Sequence, residues 1–130
     1  MSTDPKVTEK LAEDFTSAVD AATAPQAVPV NMYEADKALV VVAALPGVTP
    51  DDVEVSVAGG LLQIVASLRS AAPKDYLLNE WTYGPYEREI EIPPGFGSDA
   101  QATLANGQLA IRVLRGDPPP AGLRIKPTRP

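Results

Sequence analysis

The residue types that most often carry chemistry are scarce in this chain. It has no cysteine and no histidine, which excludes disulfides, thiolate metal sites, a cysteine nucleophile and an imidazole base. A general base would have to be Asp, Glu, Lys or Tyr. Outside the first helical stretch the only adjacent carboxylates are Asp51 and Asp52, which follow Thr49 and Pro50 as turn and strand-start residues do. No D-x-D-x-D-G calcium loop, G-x-x-x-x-G-K-[ST] phosphate loop or G-x-S-x-G nucleophile elbow occurs. The expectation is a protein that is not an enzyme, uses no ATP and needs no cofactor or metal.

What remains is the chemistry of recognition. In the tail, Leu123 and Ile125 stand alone among prolines and charges in "GDPPPAGLRIKP". Residues two apart on an extended segment share one face, and neighbouring prolines hold it extended, so docking costs less entropy. Burying two such side chains is worth roughly 3 to 5 kcal/mol before ordering costs. They either dock on another chain or pack on their own domain. Tyr76, Trp81, Tyr83 and Tyr86 form a second concentration of chemistry. Flat rings on a sandwich can stack on sugars, but strand and interface packing is the better reading of these four.

The frame is one domain with arms, since 130 residues can bury a core of ordinary apolar content. The formal net charge is −6. Residues 1–27 contribute −3 (two Lys against five Asp/Glu), residues 28–115 contribute −5 (six against eleven), and residues 116–130 contribute +2 (three against one). An acidic body repels nucleic acid. Arg124, Lys126 and Arg129 on the tail are too few to reverse that. The start has no basic region followed by an apolar one, and no run reaches the ~18 apolar residues of a membrane span. A soluble, cytoplasmic protein is expected.

Along the chain the hydrophobic period changes once. Asp4 and Pro5 suit a helix start, and Val7, Leu11, Phe15 and Val19 then recur on one stripe, predicting a short amphipathic helical arm over residues 1–27. From Val28 the period becomes two. "VPVNMY" and "KALVVVAAL" read as strands around a turn at 34–36, the second buried on both faces. Val53, Val55 and Val57 alternate with polar residues, "AGG" turns the chain, and Leu62, Ile64, Ala66 and Leu68 alternate again. "YLLNEW" suggests a short strand, and "YGPYEREIEIPPGF" a longer one in which Arg88 falls by parity into the apolar row of Tyr86, Ile90 and Ile92. An unpaired buried charge is very costly, so Arg88 needs carboxylate or carbonyl partners unless it lies at an exposed edge. "AQATLA" and "QLAIRVLR" are joined by Asn106-Gly107, a strong hairpin signal. Seven or eight short strands with no helix among them predict an all-β, immunoglobulin-like antiparallel β-sandwich over residues 28–116, followed by an extended tail over 117–130.

The blocks "ALPGV", "DDVEVSV", "GLLQI", "YGPYEREIEIP" and "ATLANGQLAI" occur in that order at residues 44–111. Together they resemble the alpha-crystallin domain of small heat-shock proteins of the bacterial and plant type, and the A-x-x-x-N-G-x-L run at Ala102 to Leu109 is that family's hallmark. The resemblance implies an ATP-independent holdase whose partners are non-native client proteins and further copies of itself. It makes Leu123-Arg124-Ile125 the tail motif that docks on a neighbouring chain, in a groove lined by Val53, Val55, Val57, Ala102 and Leu104. It places Tyr76, Leu77 and Leu78 on a strand that crosses into the partner of a dimer, with Arg88 near that contact. Val7, Leu11, Phe15 and Val19 would serve client contact or arm packing. A co-chaperone adaptor with a related sandwich is the alternative reading.

Overall fold

A computed structural model describes residues 27–67, 74–80 and 85–130. The expected arm helix, with Val7, Leu11, Phe15 and Val19, lies outside the described residues, as do Leu68, Trp81 and Tyr83. Eight strands follow in order: β1 (Val30–Ala35), β2 (Ala38–Ala44), β3 (Val53–Ala58), β4 (Leu61–Ala66), β5 (Tyr86–Glu91), β6 (Phe96–Ala105), β7 (Gln108–Arg115) and β8 (Leu123–Ile125). One sheet has the order β1-β2-β7-β6 and the other β5-β4-β3-β8, and every pairing is antiparallel.

The period-two pattern explains the two layers. In β3, Val53, Val55 and Val57 point inward while Glu54 and Ala58 face water, and in β4 Leu62, Ile64 and Ala66 do the same. Opposite them lie Leu39, Val41 and Ala43 of β2 and Leu109, Ile111 and Val113 of β7. Among the described residues no polar or charged residue is buried, so the core is held by apolar packing alone.

Three local expectations need correction. β2 was expected to be buried on both faces, but Val40 and Val42 are only half-buried and Ala44 is exposed. The outer face of this antiparallel sheet is wet, so an apolar run did not mean two buried faces. The first turn is at Asp36 and Lys37 rather than 34–36, and both take positive φ, 52° and 64°. That is the two-residue geometry matching strand twist, adopted here without a glycine. The strand expected in "YLLNEW" is not formed within the described chain: residues 74–80 are exposed and irregular.

The hallmark turn has a packing role that periodicity does not show. Asn106 and Gly107 both have positive φ, 52° and 74°, and close the β6–β7 hairpin. The Gly107 carbonyl then accepts a hydrogen bond from the Leu45 amide at 2.7 Å. The "ALPGV" and "ANGQL" blocks thus hold one another at one end of the sandwich.

Candidate functional site: a groove between two sheet edges

β3 and β6 both meet the tail strand β8, β3 by pairing with it and β6 by lying against it, and β6 is the edge of its sheet. The five predicted groove residues come together there: Val53, Val55 and Val57 are at most 1% exposed, and Ala102 and Leu104 are buried beside them. Their side chains form the floor, and the free backbone edges of the two strands form the walls. An exposed strand edge carries unpaired N–H and C=O groups and so selects an extended peptide as its partner.

The tail supplies that peptide. Leu123, Arg124 and Ile125 form β8, pairing with Val57, Ser56 and Val55 in turn. Leu123 and Ile125 pack half-buried against the core cluster, while Arg124 between them is exposed, as alternation requires. Three residues on, Thr128 reaches the other wall: its amide donates to the Ala102 carbonyl at 3.0 Å, and its carbonyl accepts from the Leu104 amide at 2.9 Å. Lys126 Nζ donates to the Asp51 carbonyl at 2.7 Å. From the sequence this motif was expected on a neighbouring chain; in this structure it occupies the expected groove on the chain that carries it.

On the opposite side of the sandwich β1 and β5 are edge strands with no further strand paired to them among the described residues. Arg88 of β5 is half-buried in the inward row that parity predicts. Its Nη1 donates to the Val28 carbonyl at 3.3 Å, tying β5 to the approach to β1. Tyr76, Leu77 and Leu78 are all exposed, Leu77 completely, as are Met32 and Tyr33 of β1. The structure does not bring Tyr76, Leu77 or Leu78 into any strand.

Two positioning contacts escaped the pattern reading. The Tyr86 hydroxyl donates to the Pro46 carbonyl at 2.9 Å, fastening the start of β5 to the loop after β2. Arg115 lies over the Phe96 ring, 4.9 Å from its centroid, and pairs with Glu34 at 3.6 Å. Both link residues far apart in sequence, so no local spacing signals them. The adjacent carboxylates are structural, as their place after Thr49-Pro50 suggests. The Asp52 carboxylate accepts from the Thr49 amide and hydroxyl, each at 2.9 Å, and so caps the short 3-10 turn Pro50–Asp52. Among the described residues no group of three or more Asp or Glu could hold a metal, and no helix is long and apolar enough to cross a membrane.

A two-layer sandwich with a strand-binding groove on one side and a paired-loop hallmark at one end defines an alpha-crystallin-type domain. The sequence profile of the Hsp20/alpha crystallin family matches residues 31–126, and the chain belongs to that family. Among solved structures it is similar to hspA from Xanthomonas axonopodis, with 27% identity and a TM-score of 0.64 over 71% of this chain and 96% of that one. A small heat-shock protein from Xylella fastidiosa is 25% identical, with a TM-score of 0.62 over 74% and 92% of the two chains. A hsp14.1 mutant from Sulfolobus is 28% identical, with a TM-score of 0.60 over 69% and 76%. Among curated proteins no significant match was found.

Proposed function

We propose that this protein is an ATP-independent holdase that binds partly unfolded proteins and keeps them from aggregating in the cytoplasm. The observation that carries the reading is what the groove accepts: an extended segment held by backbone hydrogen bonds and two aliphatic side chains. Any unfolded client presents the same features, and capturing them needs no nucleotide and no covalent step. The arm residues Val7, Leu11, Phe15 and Val19 would add apolar client contact. Tyr76, Leu77, Leu78 and Arg88 would form the contact between two copies on the open side, because large apolar side chains so exposed in one chain are best explained by a covering partner. A tail exchanged between chains would join such dimers further.

The test is light scattering from a heat-denaturing client enzyme, without ATP, at rising ratios of this protein. Suppression close to equimolar ratio is expected. No suppression at any ratio or temperature would reject the holdase and leave an adaptor module on the same sandwich.

A further inference from the structure

We propose that the N-terminal arm lays its apolar stripe on the outer face of the β1-β2-β7-β6 sheet of its own chain. While that seat is filled, Val7, Leu11, Phe15 and Val19 face the sheet rather than clients. The seat does not depend on the holdase reading above.

Register sets two central rows across this face, Tyr33-Val40-Arg112 and Asn31-Val42-Ala110. Val40, Val42 and Ala110 are half-buried, and Tyr33 is 53% exposed. β2 carries an apolar run of the kind that reads as buried on both faces, yet only its inner row is fully covered. A second layer on the outer row would complete what that run encodes. Among the described residues, the outward positions of β1, β2 and β7 hold one charged side chain, Arg112.

The outer face of the other sheet differs. There Glu54, Glu87, Glu89 and Glu91 share the outward side with Leu61 and Val65. Residues 1–27 carry two Lys against five Asp/Glu, a net charge of −3. Four glutamates repel such an arm, whereas a face whose charge is an arginine accepts it.

The place where the arm leaves the domain points to the same face. Residues 1–26 lie outside the described residues, and Val28, just after them, is 1% exposed. The Val28 carbonyl accepts from Arg88, and the Pro29 carbonyl accepts from the Ala44 amide at 3.3 Å. The exit is therefore fixed at the end of the face where Pro29, Asn31, Val42, Ala44 and Gln108 line a shallow hollow.

The dimensions agree. Twelve residue steps from Val7 to Val19 make about 18 Å of helix. The six steps of β2 from Ala38 to Ala44 span about 20 Å, and four strands side by side cover about 14 Å. From Ala22 to Val28 the linker reaches up to about 21 Å, enough to turn a helix back over the sheet. So short a linker presents the stripe to its own domain at an effective concentration in the millimolar range. A lone helix of this length is marginal in water and needs a surface for its stripe. The face beside its exit supplies one of matching size and charge.

The test is photo-cross-linking of the full-length chain with p-benzoylphenylalanine in place of Phe15, the products being mapped by mass spectrometry. Mixing isotope-labelled with unlabelled chains separates links within a chain from links between chains. Links within single chains to the Tyr33-Val40-Arg112 and Asn31-Val42-Ala110 rows are expected. Val42→Glu, which leaves the inner row of β2 untouched, should cut those links about tenfold by setting an unpaired charge under the stripe. Arg112→Glu, at an exposed position, should cut them about twofold to threefold, and the loss should shrink in about 1 M salt. Links mainly to the Glu54 and Glu87 face or elsewhere in the domain, links mainly between chains, or no links to protein would each overturn the seat. So would links that neither substitution weakens. All of this is read without a client, so a protein that fails to suppress client aggregation can still show the seat, and a working holdase can still lack it.

Discussion

Tyr86 shows how one polar atom positions an edge strand. Its ring is buried while its hydroxyl reaches the Pro46 carbonyl, so the start of β5 is fixed to the loop that also receives the hallmark turn. Tyr86→Phe keeps the ring and leaves that carbonyl without this donor. The expected loss is about 0.5 to 1.5 kcal/mol, read as a lower midpoint in urea unfolding with unchanged slope. An unchanged midpoint would mean that water replaces the hydroxyl at no cost. Asp52 and Arg88 sit where the sequence suggested, one beside a Thr-Pro turn and one in an inward row, because their neighbours in the chain set both environments. The partner of Tyr86 was not legible, since donor and acceptor are forty positions apart in the chain.

At the scale of elements, the strands of the sandwich proper follow the alternation of Val, Leu and Ile, and the three hairpin turns, at Asp36-Lys37, Gly59-Gly60 and Asn106-Gly107, follow from left-handed residues. The turns differ in cost. Asn106-Gly107 uses residue types that accept positive φ, whereas Lys37 takes φ 64° with a full side chain. Lys37 is exposed, so Lys37→Gly should relieve strain at little loss of contact. A gain of about 0.5 to 1 kcal/mol is expected, seen as a higher melting temperature. A lower one would show that chain entropy outweighs the strain. β8 is the element that sequence alone describes least well: three residues cannot form a strand without an edge to pair with, and which edge they find depends on where the tail can reach.

For the whole molecule, the two sides of the sandwich have different roles. On one side β3 and β6 are covered by the tail; on the other β1 and β5 are edge strands with no further strand paired to them among the described residues, Arg88 ties β5 to the approach to β1, and Tyr76, Leu77 and Leu78 are exposed. Assembly through the open side predicts that Leu77→Ser/Leu78→Ser halves the native mass measured by light scattering after size exclusion. The melting temperature of the sandwich should move little, because Leu77 and Leu78 are exposed in the single chain. A native mass equal to that of the unsubstituted chain would place the dimer contact elsewhere.

The sequence by itself determined the sandwich, the inward and outward rows, the hallmark hairpin and the pairing of Leu123 with Ile125 as a docking unit. These follow from period, turn chemistry and charge, which act over a few residues. Tertiary structure alone decided that the "ALPGV" and "ANGQL" blocks bond to each other, that residues 74–80 form no strand within the chain, and that the tail lies across its own β3 and β6. Each of those depends on which backbone edge is free and how far a connector can reach, and such distances exist only once both sheets are in place.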